Sequence, residues 1–210
     1  MKKHLQKVPI MFSSGFKPTK LSHIPYLKRQ NYYTDESVSM SGDRPKDFVK
    51  VYEYGEKNCY RANPKTWIPY LAKVGDKRYP SESITEYLLN RIGEVMGMNM
   101  AKSKLYIVDN QIRFFSRYFL SDNEQLIHGA QIYATYLRDE DFVKKVEAEK
   151  LERTFFTFQF AEQALRFYCP ENAESILQDF IKMLVFDALI GNNDRHFYNW
   201  GIIYDLDKNY

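Results

Sequence analysis

The first half of the chain carries apolar and polar positions in patterns that predict strands. Residues 38–51 begin with small and polar residues and end in alternating apolar and charged residues, which predicts a loop followed by a strand. A second short strand is predicted within 65–80. Residues 105–120 read as two strands, because an Asp-Asn pair at 109–110 suits a tight hairpin turn.

One helix is predicted between the second and third of these strands. Ser81 or Ser83 can cap its start, a Glu lies in its first turn, and Gly97 marks its end. The order of elements in the first half is then strand, strand, helix, strand, strand. Four apolar residues recur at helical spacing along the helix: Ile84, Leu88, Ile92 and Val95.

The second half of the chain is predicted to be helical. Residues 139–168 read as one long helical stretch with a break near the aromatic cluster at 155–160, and Pro170 stops it. A further helix is predicted over 173–190, followed by a strand over 200–204. Five residues of the 173–190 helix share one face: Ile176, Phe180, Met183, Leu184 and Asp187.

This arrangement predicts an α+β protein with two lobes and a cleft between them. We assign residues 1–37 to an N-terminal arm, 38–120 to a β-rich first lobe and 121–210 to a helical second lobe. Clefts between lobes are where ligands usually bind.

Composition narrows the classes of protein. Hydrophobic residues make up 44% of the chain and charged residues 27%, close to the average for globular proteins. The net charge of +3 gives no indication of direct nucleic-acid binding. The two cysteines form no CxxC pair, which argues against a disulfide framework or a zinc site. Without a bilayer-length apolar run or a signal peptide, we expect a cytoplasmic protein with no membrane partner.

The chemistry of the chain is concentrated in residues 189–202, LIGNNDRHFYNWGI. Asp194 can accept or orient a hydroxyl proton, and the side-chain oxygen of Asn199 is a hard ligand suited to Mg²⁺. Their Asp-x-x-x-x-Asn spacing is the spacing of the kinase catalytic loop. Asp and Asn are also common turn and cap residues, so the spacing alone leaves a structural role open.

The first lobe offers the other parts of a phosphate site. The small residues Ser39, Ser41 and Gly42 would let backbone N–H groups approach phosphate oxygens. Lys73 lies inside an apolar strand, and Glu82 or Glu86 on the next helix could pair with it. The alternatives are an ordinary turn and a solvent-facing lysine.

Several segments together resemble HipA-like serine/threonine kinases. FDALIGNNDRHFYNWGI resembles the family's catalytic loop, whose D-R-H-x-x-N core also occurs in the more distant phosphatidylinositol 3- and 4-kinases. SMSGDRPK resembles the phosphate loop, and YLAKVGDKRYPSESITEYLLNRIGEVMGM resembles the lysine strand and the following helix. LIHGAQIYATYL resembles a weaker signature at the start of the helical lobe. The resemblance extends from about residue 38 onward.

The resemblance implies a two-lobed protein-kinase-like fold that uses ATP and Mg²⁺. It makes Asp194 the catalytic aspartate and Asn199 the magnesium ligand, with His196 bracing the loop. It places Lys73 at the nucleotide phosphates, with Glu86 as its ion-pair partner and Glu82 as a rival.

Further implied roles concern the loop and the hinge of the first lobe. Ser39, Ser41 and Gly42 would cover the phosphates, and Ser39 is the position at which family members can autophosphorylate. Tyr118, with its neighbours Arg117 and Phe119, would present backbone groups to adenine.

The resemblance also implies partners. Family members are often toxins of toxin–antitoxin modules, which implies a DNA-binding, antitoxin-like partner and a protein substrate with a Ser or Thr hydroxyl. The family's second metal-binding Asp has no clear counterpart here, since Asp205 and Asp207 lie in a turn, and we interpret the helical lobe as truncated. A catalytically deficient pseudokinase, a nucleotide- or partner-binding module, and a kinase of lipid or small-molecule hydroxyls remain alternatives.

Overall fold

The computed structural model describes residues 24–35, 46–74, 81–149, 151–193 and 195–207. Within these ranges the first lobe is an antiparallel five-stranded sheet in the order β1-β2-β3-β5-β4, with one helix packed against β4 and β5. Its elements are β1 (Tyr32–Thr34), β2 (Lys46–Val51), β3 (Ile68–Val74), α1 (Glu82–Val95), β4 (Ser103–Val108) and β5 (Gln111–Arg117).

The second lobe is mostly helical in the described part of the chain. A small antiparallel sheet of β6 and β7 lies beside its helices. Its elements are β6 (Glu124–His128), α2 (Gly129–Leu137), α3 (Phe142–Ala148), α4 (Glu152–Phe155), α5 (Phe158–Tyr168), α6 (Ala173–Ile190) and β7 (Gly201–Asp205). No helix in the described ranges combines the length and the apolar character needed to cross a bilayer.

The hairpin of the first lobe turns where the sequence predicts. Asp109 and Asn110 both adopt positive φ angles, 50° and 62°, as a tight turn between twisted strands requires. The predicted strands β2 and β3 and the predicted helix α1 are likewise present, so the expected order of elements is confirmed.

The face that α1 turns toward the sheet differs from the one its apolar stripe indicates. Leu88, Ile92 and Val95 are 54%, 46% and 87% exposed, whereas the buried positions of the helix are Ser83, Asn90 and Gly93. The Asn90 side chain donates to the Ala101 carbonyl at 3.0 Å and accepts from the Ser103 hydroxyl at 2.7 Å. Asn90 therefore joins the inner face of the helix to the start of β4, and Leu88, Ile92 and Val95 of the apolar stripe face outward.

Part of the predicted N-terminal arm belongs to the sheet. β1 pairs with β2 at the sheet edge, with Tyr32 opposite Val51, and Tyr26 forms a bridge to Ile107 of β4. Residues 24–35 therefore pack on the first lobe, and the boundary at 37 separates segments that are joined by strand pairing. The pattern missed this strand because it is three residues long and bordered by polar residues.

The first lobe contains a buried carboxylate network on β3 and β4. Glu53 is 7% exposed and accepts hydrogen bonds from the hydroxyls of Tyr70 at 2.6 Å and Tyr106 at 3.2 Å, and from the Lys104 ammonium at 2.5 Å. Burial favours the neutral acid and raises the pKa of Glu53, but the bonds from Lys104 and the tyrosines outweigh it and hold the pKa below its ordinary value. Burial beside Glu53 also raises the pKa of both tyrosines.

The predicted helical stretch over residues 139–168 is present and consists of three helices, α3 to α5. The predicted break near 155–160 lies at Thr157, where α5 begins and the Thr157 hydroxyl accepts the Phe160 N–H at 3.3 Å, whereas the interruption between α3 and α4 was not predicted. The breaks let phenylalanines from all three helices pack inward around Tyr133, which is fully buried. Helix α6 has the bounds that the pattern predicts, and Phe180 and Asp187 of the predicted face are buried.

Candidate functional site

An ion pair links the central strand of the first lobe to its helix. The Lys73 ammonium on β3 lies 3.0 Å and 3.2 Å from the two carboxylate oxygens of Glu86 on α1. The side chains are 35% and 26% exposed, so the pair is half-buried at the edge of a cleft. Of the two glutamates that the sequence offers, Glu86 is the one that makes this contact, because it lies one helical turn further along α1 than Glu82.

A cleft of about 3090 Å³ is lined by both lobes. Lys73 and Glu86 line it from the first lobe, and His196 and Asn199 line it from the segment after α6. Lys46 also lines it and lies opposite Lys73 in the pairing of β2 with β3. The structure thus brings the Lys73–Glu86 region and the segment after α6 to one cleft. Lys46 and Lys73 lie next to each other on the first-lobe side of that cleft.

The segment after α6 begins at a glycine turn, and the buried carboxylate of Asp187 accepts hydrogen bonds from residues of this segment. Gly191 has a φ of 70° and ends the helix, and the Asn192 N–H donates to the Asp187 carbonyl at 2.8 Å. Asp187 is 5% exposed. Its carboxylate accepts from the Asn192 amide at 2.8 Å and from two nitrogens of the Arg195 guanidinium, each at 2.7 Å.

A buried aromatic anchor holds the other end of the segment. The Phe197 ring is fully buried, packed edge-on against Tyr133 at 5.1 Å between ring centres. The N–H groups of Gly129 and Ala130, at the start of α2, donate to the carbonyls of Trp200 at 3.0 Å and Phe197 at 2.9 Å. These are N-terminal donors that a helix cannot satisfy internally, so the segment caps α2 while α2 fixes the segment.

His196 and Asn199 occupy a turn between these anchors. The Asn199 N–H donates to the His196 carbonyl at 3.0 Å, and the Tyr198 N–H donates to His196 Nδ1 at 3.3 Å. His196 therefore contacts the backbone of the loop through its ring. Asn199 is exposed on the cleft, and its own carbonyl accepts from Arg195.

The arrangement fits a magnesium ion held by few protein atoms. The described residues include no group of three or more His, Cys, Asp and Glu side chains that could enclose a metal. Mg²⁺ is usually bound by one or two protein oxygens together with substrate phosphates and water, so the position of Asn199 on the cleft is compatible with a site of that kind. Asp205, which the sequence placed in a turn, is the last residue of β7. Its carboxylate accepts hydrogen bonds from the Asn123 amide at 3.4 Å and from the Asp207 N–H at 3.0 Å.

The residues predicted to form a hinge, Arg117, Tyr118 and Phe119, line the cleft, but two of their backbone donors are occupied. The N–H groups of Arg117 and Tyr118 donate to the carbonyls of Lys102 at 2.8 Å and Pro69 at 2.9 Å. The Tyr118 ring packs edge-on against Phe48 at 5.3 Å. Tyr118 lines the cleft, but its N–H is committed to the sheet.

Four of the site residues predicted from the sequence lie outside the described residues: Asp194, Ser39, Ser41 and Gly42. In turn, sequence reasoning missed the roles of Asn192 and Arg195 and treated Asp187 only as part of a helix face. A carboxylate on an otherwise apolar helix face was the available signal, because such a group needs a partner when it is buried.

Comparison with known proteins places this geometry in a family. No curated protein sequence matches the chain. Among solved structures, the fold resembles that of the proinflammatory kinase CtkA of Helicobacter pylori, with a TM-score of 0.60 and 16% sequence identity. The match covers 86% of this chain and 55% of the CtkA chain, so this chain spans about half the length of that relative.

The match to a family model is more specific than the shared fold. The model of the HipA-like C-terminal domain matches residues 38–210, which is most of the chain and includes both walls of the cleft. The chain therefore belongs to the HipA-like C-terminal domain family.

Proposed function

We propose that the chain is the nucleotide-binding and catalytic-loop portion of an ATP- and Mg²⁺-dependent phosphotransferase. The family is that of HipA-like kinases and the fold resembles a kinase. The observation that carries the proposal is the shared cleft: the Lys73–Glu86 pair lines it from one lobe, and Asn199 of the D-R-H-x-x-N segment lines it from the other.

Each side chain has a defined task in this proposal. Glu86 holds the Lys73 ammonium at the cleft, where the lysine binds and orients the nucleotide phosphates. Asn199 provides a carboxamide oxygen for the metal, and Asp194 accepts or orients the proton of the attacking hydroxyl. When bound, ATP would supply the phosphoryl group, and Mg²⁺ would compensate the negative charge of the phosphates. Phosphoryl transfer needs mainly this positioning and charge compensation, with little covalent chemistry from the protein.

The finer features of the proposal follow the family resemblance. The acceptor is a Ser or Thr hydroxyl of a protein, Ser39 is a site of autophosphorylation, and the protein acts as the toxin of a toxin–antitoxin module in the cytoplasm. Its partner is then an antitoxin-like DNA-binding protein. A phosphate on Ser39 would add nearly two negative charges beside the nucleotide phosphates and would oppose ATP binding.

Nucleotide binding and phosphate transfer can be tested separately on the whole chain. ATP with Mg²⁺ should raise the melting temperature of the wild type, because a ligand that binds the folded state stabilises it. Lys73→Met should abolish most of this rise. Lys50→Met is the matched control, because Lys50 is also a strand lysine with a carboxylate neighbour, Asp35 at 4.0 Å, and is not among the cleft-lining residues.

Transfer is measured as incorporation of labelled phosphate from ATP. Asp194→Ala should abolish incorporation while leaving the thermal rise with ATP intact, and Asp141→Ala, a surface aspartate, should change neither. Transfer that persists in Asp194→Ala would remove Asp194 from the mechanism. A wild type that binds ATP but transfers nothing to proteins, lipids or small hydroxyl compounds would indicate a nucleotide-binding module instead.

A further inference from the structure

Arg195 is placed where an arginine would ordinarily bind phosphate. It follows the proposed catalytic Asp194 in the sequence and lines the cleft. Arginine is well suited to phosphate because its planar guanidinium presents parallel N–H donors. Here, however, two of its nitrogens donate to the two oxygens of Asp187, each at 2.7 Å.

We propose that Asp187 is a positioning residue that acts through Arg195 to fix Asn199, and that Arg195 holds the loop rather than the transferred phosphate. The catalytic part of this inference rests on the proposed function. The structural part, that the Asp187–Arg195 pair immobilises the loop, does not.

The contacts form a continuous path from a helix to the proposed metal ligand. Asp187 belongs to α6, an 18-residue helix whose inner face packs in the core of the second lobe. Arg195 spans from that carboxylate to the backbone carbonyl of Asn199. Asn192 donates to the same carboxylate at 2.8 Å. The bonded residues lie on both sides of position 194 in the sequence, so the pair fixes the two ends of the catalytic segment.

Burial makes this pair stiff and its two members interdependent. The side chains of Arg195 and Asp187 are 19% and 7% exposed, so water competes weakly for their bonds. Both carboxylate oxygens already have donors, which leaves Asp187 little capacity to bind a ligand. Removal of either partner leaves the other as a poorly solvated charge without its counterion, and the loop loses the same constraint in both cases.

A double-mutant cycle on transfer activity tests the catalytic part. Asp187→Ala and Arg195→Ala should each lower kcat by roughly 100-fold, the size expected when reacting groups are misplaced by about 1 Å. The double variant should lose about as much as either single variant, because both changes remove one unit. Losses that multiply to roughly 10,000-fold would show two independent roles and would overturn the proposal.

ATP affinity distinguishes positioning from phosphate binding. If Arg195 positions the loop, the Kd for ATP without divalent metal should change less than about threefold in both single variants and should respond to salt as in the wild type. An Arg195→Ala variant that binds ATP much more weakly, with Asp187→Ala unaffected, would make Arg195 a phosphate ligand. Asp187→Asn keeps the size of the side chain and serves if the alanine variant does not fold.

Amide hydrogen exchange tests the structural part without reference to activity. The Asn199 N–H, bonded to the His196 carbonyl at 3.0 Å, should exchange at least about tenfold faster in Asp187→Asn and Arg195→Ala. Arg166→Ala is the matched control: Arg166 also donates through two nitrogens to carboxylate oxygens, but those belong to Glu162 and Glu174 at the surface. Unchanged exchange at Asn199 would refute the constraint even if transfer were never detected, and faster exchange with no transfer would retain it while the proposed function fails.

Discussion

In the described part of the chain each lobe buries one carboxylate, and the two carboxylates differ in what they hold. Glu53 bonds two tyrosine hydroxyls and Lys104 within the sheet of the first lobe, and it is not among the residues that line the cleft. Asp187 bonds Asn192 and Arg195, both of which line the cleft.

The difference shows that the same interaction can serve stability in one place and geometry in another. A buried carboxylate needs donors wherever it lies, because an unpaired charge is costly to desolvate. The donors of Glu53 lie on β3 and β4, so its network links two strands of one sheet that β5 already joins. An irregular segment supplies the donors of Asp187, so that network fixes a part of the chain that lies outside helices and strands.

The largest effect on stability is expected from Glu53→Ala. Tyr70 and Tyr106 would lose the acceptor of their buried hydroxyls, which costs on the order of 3 kcal/mol in the free energy of unfolding. Denaturant unfolding measures this loss. ATP affinity should stay within about twofold of wild type once the variant is folded, and a specific loss of ATP binding would show that the Glu53 network also shapes the cleft.

A smaller effect is expected from Gly129→Ala, which tests the attachment of the loop to α2. A Cβ atom at this position would collide with the indole ring of Trp200. Overpacking of this kind typically costs about 1–3 kcal/mol, and here it should also displace the Trp200 carbonyl from the start of α2. Thermal unfolding measures the cost. The comparison variant is Ala134→Gly, which lies on α2 like Gly129. Gly55→Ala would not serve as a control, because the φ of 85° at Gly55 would strain the backbone of an alanine.

The smallest effect is a dependence of stability on pH that arises from the Glu53 network. Burial raises the pKa of Glu53, but the hydrogen bonds from Lys104 and the tyrosines lower it by a larger amount. The pKa in the folded state therefore lies below the ordinary value of 4.5. The stabilisation is therefore complete above that value and is lost as pH falls through the lower pKa of the folded state. Glu53→Gln should flatten the fall in stability measured between neutral pH and acid. An equally steep fall in that variant would assign the acid sensitivity to other groups.

Comparison of the two lobes also shows where sequence reasoning succeeds. The hairpin turn at Asp109 and Asn110 and the end of α6 at Gly191 were predicted, because positive φ angles select particular residues locally. The apolar stripe of α1 was misleading, because bonds made by Asn90 to a distant segment determine which face turns inward. The break at Thr157 lies within the predicted 155–160 region, whereas the interruption between α3 and α4 has no Pro or Gly to mark it and was not predicted.

For the candidate site too, some features were predicted from the sequence and others required the tertiary structure. The types and spacing of Lys73, Asn199 and the residues between Gly191 and Trp200, together with the family resemblance, predict a phosphoryl-transfer cleft. The choice of Glu86 as the partner of Lys73 required the packing of α1 on the sheet, which brings Glu86 Oε2 within 3.0 Å of Lys73 Nζ. The role of Arg195 required knowledge that Asp187 is buried within reach of it.

The sequence by itself determined the order of β2, β3, α1, β4 and β5, the bounds of α6, the turns that need unusual backbone angles, and the chemical groups available to a site, because each depends on neighbouring residues. Only the tertiary structure decided which helix face is buried, which glutamate meets Lys73 and which carboxylate holds Arg195. Those outcomes depend on the desolvation and pairing of groups that come together when distant segments pack, and no local pattern specifies that packing.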